Sequence, residues 1–526
     1  MNNQRVLPTQ VLANLFAQYA HLANADKWLD VEVTGIKEDS RNIVKGDLFV
    51  ARDGEFFKGT QYIKAAASNG AIAALVEKTS TINEVDLEHY PIPVIAIDKL
   101  HEQVGAIAAK VFNNVAQQLT IIGITGTNGK TSCAHYLAQS LNNLAINTFI
   151  IGTLGNGHPK RLQVANRTTP DACALQQLFA EFYHQGAKAV VMEVSSHALE
   201  QGRVAGTQFN AVAYTNLSRD HLDYHGSMQA YAAAKARLFT QFNADHRILN
   251  ISDAYNRELL TSLSASMAQS IVTYSEDADK DANVSAADVC LEQGLKFNLE
   301  LPGRELKIDS QIIGKFNIAN LLLCASVLIR LGFSDQQIQS SLNQLTPVPG
   351  RMQKVIANAL LPSDKLQPLC VVDYAHTPDA LEKALQACRI HCSNENAVLK
   401  VVFGCGGDRD TGKRAEMAEI AERFADYTIV TSDNPRTEDP DSIIKMVCLG
   451  FSKGAKFKVN SDRKQAIFDA IATASSQDVV LIAGKGHEDY QEIMQVKHPF
   501  LDAQIVVEAI EYKFSLTNSA DGGSYV

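Results

Sequence analysis

Gly123-Ile124-Thr125-Gly126-Thr127-Asn128-Gly129-Lys130-Thr131 follows the apolar run Leu119 to Ile122 and leads into a helix-forming stretch that starts at Ser132. A strand that stops in a glycine-rich turn and then opens a helix aims several backbone N–H groups at one point. The helix N-terminus adds partial positive charge there. Such a turn is a phosphate cradle. Lys130 is placed to reach outer phosphates, and the Thr131 hydroxyl to meet the magnesium ion that travels with a nucleoside triphosphate. The glycines fall at 123, 126 and 129, whereas the usual phosphate-loop spacing asks for one at 124, where this chain has Ile124.

Outward from the loop, the central stretch from 116 to 348 repeats the same pattern. The helix after the loop carries Ala134, Leu137, Leu141 and Leu144 on one face. The strand Ala189 to Met192 runs into Glu193-Val194-Ser195-Ser196-His197, and the strand Ala211 to Thr215 runs into Asn216 through His225. In a parallel sheet ligands gather beyond the carboxyl ends of the strands, so three polar clusters converge on one crevice. Glu193 suits a hard cation. His221 fits either a metal ligand or a proton handler, and Lys235, on a good helix former, reads locally as solvated. From 253 to 312 an antiparallel addition of short strands is expected. Asn317 and Asn320 then precede an apolar helix, which they could cap or, alternatively, leave in order to touch a base.

Residues 1–115 alternate short apolar runs and helical stretches, giving a small α/β unit, with the polar turn Asp39-Ser40-Arg41 ahead of its strand Gly46 to Ala51. Met1 to Ala25 reads as an amphipathic first helix and lacks the pattern of a secretory signal. Pro347-Val348-Pro349-Gly350 marks a linker. Residues 349–526 return to a βα rhythm whose strands end in Asp373 to Pro378, Gly404 to Asp410, Asp433 to Arg436, and Gly484 to Asp489. Arg409 and Arg436 suit carboxylates, while Asp433 and Glu488 suit an ammonium, which together describe a site for an amino acid. The other possibility is that these charges pair among themselves on a polar rim. The small polar end from Asn518 is expected to fray.

The 526 residues call for about three domains. A composition of 46% hydrophobic and 20% charged residues is that of a soluble globular chain. The net charge of −10 argues against general nucleic-acid or membrane-surface binding, and no apolar run is long enough to span a bilayer. Nine cysteines without a Cys-x-x-Cys pair fit free thiols in a reducing cytoplasm.

These motifs, in this order, resemble those of the Mur ligases of bacterial peptidoglycan synthesis, in the branch that adds diaminopimelate. The resemblance rests on the phosphate loop, Thr168-Thr169-Pro170, Glu193 to His197, Asn216 to His225, Gly350-Arg351-Met352 and the four C-terminal clusters. That family shares the glycine spacing seen here. The resemblance implies three α/β domains: a UDP-sugar-binding unit over 1–115, an ATP-binding unit with a mostly parallel sheet over 116–348, and a Rossmann-like amino-acid-binding unit over 349–526. It also implies ATP as co-substrate, Mg2+ as cofactor, UDP-MurNAc-L-Ala-D-Glu and meso-diaminopimelate as the other substrates, and a cytoplasmic monomer.

The residue roles implied by the family are as follows. Gly126, Thr127, Asn128, Gly129, Lys130, Thr131, Asn317, Arg351, Asp373 and His376 would bind ATP. Thr131, Glu193, His221 and a carbamylated Lys235 would serve the metal, and Lys130 with the last three would serve the chemistry. Ser40, Thr168, Thr169, Ser195 and Arg203 would hold the muramoyl dipeptide, and Arg409, Asp433, Asn434, Arg436, Gly484 and Glu488 the incoming amino acid. Arg436 in Asp-Asn-Pro-Arg is the arginine that lysine-adding relatives lack. Ser432 and Glu55-Phe56-Phe57 depart from the common pattern, the latter on the uridine side. Competing expectations are a lysine-adding ligase, a folylpolyglutamate synthetase or a P-loop switch ATPase.

Overall fold

The computed structural model describes residues 10–16, 31–53, 58–78, 89–277, 279–291, 294–357, 367–392 and 396–521. Glu55-Phe56-Phe57 and most of the expected first helix lie outside the described residues; within that helix Leu12–Leu15 is helical. The N-terminal unit holds four parallel strands, Gly35–Lys37, Asp47–Ala51, Ala73–Glu77 and Val94–Ile97, side by side in chain order. Asp39 accepts from the Arg41 N–H and turns Ser40–Asn42 into one 3-10 turn, with the Arg41 side chain 87% exposed. The solvated turn expected there is what forms.

The central sheet has eleven strands. Thr120–Thr125, which feeds the phosphate loop, lies between Ala189–Glu193 and Phe209–Tyr214, and all three are parallel. Both faces of this sheet are apolar, so helices must cover both. Lys130–Asn143 and Asn317–Arg330 pack Leu137, Leu141, Leu321 and Leu328 onto one face, while Ala172–His184 and Met228–Thr240 pack Leu175, Phe179, Leu238 and Phe239 onto the other.

The stretch from 253 to 312 departs from expectation. Ala254–Ser262 is a helix, and Ile271–Ser275 and Val284–Cys290 extend the parallel sheet; Leu295–Leu301 then pairs antiparallel with both Val284–Cys290 and Arg304–Ser310. The helix supplies the long crossover that brings Ile271–Ser275 parallel to Ala244–Asn250, and the short connections 291–294 and Pro302-Gly303 turn the last strands back as hairpins. The capping expectation for Asn317 and Asn320 also fails. The cap position is Phe316, without a side-chain bond, and the two amides bond instead to Ile313 O at 2.8 Å and to each other at 2.7 Å.

The C-terminal unit is a six-stranded sheet in which Leu369–Asp373, Val479–Ala483, Leu399–Phe403, Tyr427–Val430 and Phe457–Val459 are parallel and Gln353–Val355 is an antiparallel edge. Pro378–Arg389, Lys413–Phe424 and Pro440–Cys448 cover one face, Arg463–Ala472 and Asp502–Asp521 the other. The hairpin Tyr490–Ile493/Val496–Pro499 was not foreseen. Of the chain end expected to fray from Asn518, the residues to Asp521 are helical and the rest lie outside the described residues. All nine cysteines are free, six of them buried. Among the described residues no helix is long and apolar enough to cross a membrane.

Candidate active site

The phosphate loop is a rigid object held from the neighbouring strand end. Thr127 N–H donates to Asn216 O at 2.8 Å and Asn128 N–H to Asn216 Oδ1 at 3.0 Å. Gly126 has φ +140°, and a Cβ there would sit 1.8 Å from Thr215 Oγ1; Gly129 has φ +87° and would meet Asn320 Oδ1 at 2.6 Å. Neither position admits a side chain. Helix Lys130–Asn143 starts directly behind, so its free N–H groups face the loop. Lys130 Nζ donates to the carbonyls of Gly126 and Thr127, each at 2.8 Å, and burial pushes its pKa down.

Thr131 Oγ1 donates to Glu193 Oε2 at 3.0 Å, and Thr153 N–H donates to Glu193 Oε1 at 2.8 Å, which fixes a carboxylate that is 1% exposed. The Thr153 hydroxyl lies 3.1 Å from that of Thr168. Thr169 Oγ1 donates to Glu193 O at 2.8 Å and accepts from Ser195 N–H at 3.1 Å, and Arg203 Nη1 donates to Thr169 O at 3.1 Å. Thr168, Thr169, Ser195 and Arg203 therefore form one wall beside Glu193. Ser40 stands apart from that wall, on its N-terminal turn, where its carbonyl accepts from Asn69.

Lys235 is not solvated. It is 1% exposed, its Nζ donates to Gly126 O at 2.7 Å, and it lies 4.4 Å from the centre of the Tyr231 ring. Lys235 shares the buried face of Met228–Thr240 with Tyr231, Ala234 and Leu238. That 231, 234/235, 238 spacing was visible in the sequence and outweighed local helix propensity. Burial, then the neighbouring Lys130, hold its pKa well below the usual lysine range.

His221 takes the left-handed φ of +54° and sets its Nε2 3.5 Å from Asp220. Its ring stands edge-on to His197 at 4.9 Å. Burial, with the neighbouring His197, Lys130 and Lys235 and against the pull of Asp220, lowers its pKa to about 3. Burial works against charge on Asp220, yet His221, His376 and Lys413 outweigh it and bring that carboxyl down to about 2. Asp220, His197 and Tyr231 were not singled out in the sequence. The signal for the first two was their place in the clusters already marked.

Contacts cross from the central unit to the C-terminal one at several points. Arg351 Nη2 donates to Thr131 Oγ1 at 3.1 Å, Asn128 Nδ2 to Asp379 Oδ2 at 2.7 Å, and His376 Nε2 lies 3.9 Å from Asp220. Beside these contacts a cavity of about 430 Å³ is lined by Asn128, Gly129, Asn320, Arg351, Asp373 and Lys383. Arg351 covers the Tyr374 ring at 4.4 Å, and Asp373 Oδ2 accepts from Met352 N–H at 2.6 Å while burial raises its carboxyl to about 6. Asn317, 2% exposed, sits behind Asn320.

The second cluster gathers five of its six expected members. Asn434 Nδ2 donates to Glu488 Oε2 at 2.7 Å, a Cβ on Gly484 would come within 2.5 Å of Asp433 Oδ2, and Arg436 Nη1 donates to Gly407 O at 2.6 Å. Glu488 is also paired with buried Lys485 at 2.9 Å, a partner absent from the expected set. Arg409 is exposed on its loop and bonds the carbonyl of Asp408. The alternative of pairing among these four charges does not hold: Glu488 pairs with Lys485 and Arg436 with Glu492, both from outside the expected set, and Arg409 has no ion-pair partner among the described residues.

The Glu193 carboxylate with the hydroxyls of Thr131 and Thr153 suits a magnesium ion that keeps waters and phosphate oxygens. Lys235 as an amine offers such an ion nothing; as a carbamate it would add a second acid. The tight triad of donor atoms among the described residues, Glu38, Asp171 and Cys173, does not include Glu193.

Three family models match the chain: "Mur ligase family, catalytic domain" over 32–112, "Mur ligase middle domain" over 124–328, and "Mur ligase, glutamate ligase domain" over 350–486. The chain is 42% identical over 483 residues to the UDP-N-acetylmuramoyl-L-alanyl-D-glutamate–2,6-diaminopimelate ligase of Chromobacterium violaceum, covering 92% of this chain and 95% of that one. It is 43% identical to the ligase of the same name from Coxiella burnetii, covering 91% and 96%. A solved structure of a ligase of that name aligns over 96% of this chain and 100% of its own with a TM-score of 0.67 and 35% identity.

Proposed function

The chain belongs to the Mur ligase family, and from that premise we propose that it joins meso-2,6-diaminopimelate to UDP-MurNAc-L-Ala-D-Glu at the expense of ATP, in cytoplasmic peptidoglycan precursor synthesis. The observation that carries this reading is the meeting of Lys130, Thr131 and Glu193 with Arg351 from the other domain, beside a strand-end pocket that holds Arg436. We take the domains to run over 1–115, 116–348 and 349–526. We take the enzyme to act as a monomer.

The γ-carboxylate of D-glutamate attacks the γ-phosphorus of ATP; the bond to the β-phosphate oxygen breaks, and ADP leaves an acyl phosphate. The amine of diaminopimelate, after losing a proton, attacks that carbonyl, and inorganic phosphate departs as the amide forms. Phosphoryl transfer of this kind rests on positioning and charge neutralisation. Lys130 and Arg351 supply charge to the transferring phosphate, with the Gly126–Gly129 backbone as its cradle. Asn317, Asp373 and His376 complete the nucleotide side. Thr168, Thr169, Ser195 and Arg203 hold the muramoyl dipeptide near Glu193, with Ser40 toward its uridine end. Asp433 and Glu488 take an ammonium, and Asn434, Gly484, Arg409 and Arg436 take carboxylates of the incoming amino acid. Bound magnesium would neutralise phosphate charge, held by Thr131, Glu193, His221 and a carbamate on Lys235. The buried, depressed amine of Lys235 supports that modification, because the neutral form is the one that adds to carbon dioxide.

A ligation assay across candidate amino acids tests the reading. Phosphate release should require both UDP-MurNAc-L-Ala-D-Glu and meso-diaminopimelate. Equal turnover with L-lysine would overturn the specificity, and ATP hydrolysis without an acceptor amine would overturn the ligase reading itself.

A further inference from the structure

Arg436 is aimed by main-chain bonds. Its φ is +53°, a left-handed conformation that a non-glycine residue keeps only when its surroundings impose it. The hairpin Tyr490–Pro499 imposes it here: Arg436 N–H donates to Glu492 O at 3.0 Å, and Met494 N–H donates to Arg436 O at 2.6 Å. The hairpin is itself tied to the preceding loop by Glu492 N–H to Asn434 Oδ1 at 2.8 Å and Gln491 Nε2 to Asp433 O at 2.8 Å. One side chain of this hairpin then turns on the guanidinium. Glu492 Oε2 lies 3.7 Å from Arg436 Nε, while Arg436 Nη1 is held by Gly407 O; the two charged side chains are 21% and 22% exposed.

We infer that Glu492 is a specificity-determining residue of the amino-acid pocket, a carboxylate of the chain itself that competes with the ligand's distal carboxylate for Arg436. The inference rests on the assignment of Arg436 to that carboxylate. At 3.7 Å the pair is an ion pair and not a hydrogen bond, so it contributes little to the aim of Arg436, which the backbone already sets. What it does is lower the net positive charge offered to an incoming carboxylate and place a like charge beside it. A ligand with a distal carboxylate must overcome that charge. One with only a distal ammonium, such as lysine, meets an arginine already partly neutralised.

Steady-state kinetics of the full chain test this with Glu492→Gln, which keeps the shape and the hairpin bonds. The KM for diaminopimelate should fall about two- to five-fold, the range of one partly screened ion pair, with kcat and the KM for ATP unmoved and lysine no better used. Glu492→Asp, which draws the charge back, should fall in between. In an Arg436→Ala background Glu492→Gln should have no effect, which separates competition from a merely structural role. A KM that rises or stays put in Glu492→Gln, or one that falls equally without Arg436, overturns the role given to Glu492. Wild-type chain that uses lysine and refuses diaminopimelate overturns instead the pocket reading on which it rests.

Discussion

In the phosphate crevice, the carbonyl of Gly126 accepts from both Lys130 and Lys235, and Glu193 is held by Thr131 and Thr153 with its side chain out of water. In the pocket proposed for the amino acid, Arg409 is exposed on its loop and Arg436 keeps about a fifth of its side chain in solvent. The difference is one of dielectric. Buried charges without good partners are costly and interact strongly, so the crevice fixes its groups before any substrate arrives. Partly solvated arginines interact weakly until a ligand excludes the water, so the second pocket selects by what is bound there. The first region should therefore respond to mutation in kcat, the second in KM.

The contrast is broken most severely at Lys130. Lys130→Ala should cut ligation about a thousandfold or more, as expected for removing charge from a phosphoryl-transfer site, with circular dichroism and melting temperature little changed. A loss confined to KM would place Lys130 outside the chemistry. Next comes Lys235→Ala, expected to cost about a hundredfold in kcat and to recover in part with a short carboxylic acid. Intact-mass analysis should find one carbamate on the native chain; lack of rescue together with an unmodified mass would remove Lys235 from the metal site.

Arg436→Ala should raise the KM for diaminopimelate about ten- to a hundredfold, the worth of a charge-assisted contact, and leave that of ATP alone. Equal changes in both would erase the distinction between the two regions. The mildest test is Asp373→Asn. Burial keeps this carboxyl protonated to about pH 6 in the folded chain, above its ordinary value. Between about pH 4 and 6 the folded state thus binds more protons than the unfolded one, and stability falls as pH rises through that window. The amide removes this penalty. Relative to the parent, the variant should gain about 3 kcal/mol at pH 8 and almost nothing at pH 4; equal gains at both pH values would rule out this titration.

The fold was legible where strands end in polar or glycine-rich clusters, because a covered parallel sheet leaves long apolar runs followed by abrupt polarity. Val479 to Ala483 and Lys413 to Phe424 fall where their runs begin and end. Less legible were pairings that depend on crossover length, as at Ile271–Ser275, and short elements without an apolar run, as in the hairpin Tyr490–Pro499. In the candidate site, the motif residues converge as expected from topology. Partners that arrive from distant segments were not readable: Asp379 on Asn128 and Glu492 on Arg436 are contacts made by folding and leave no local trace, whereas Lys485 stands three residues from Glu488 inside a cluster already marked and was within reach of the sequence.

The bond from Arg351 to Thr131 makes one hydroxyl oxygen common property of two domains, since the same oxygen donates its proton to Glu193 and accepts from an arginine rooted beyond the linker. Nucleotide affinity and the angle between these domains are then two readings of one equilibrium, and linkage makes their coupling reciprocal. Whatever favours the joined arrangement, including an amino acid seated at the strand-end pocket of Arg436, must tighten ATP by the same factor with which ATP tightens it. The enzyme would then show synergy between substrates that never touch one another until the final step.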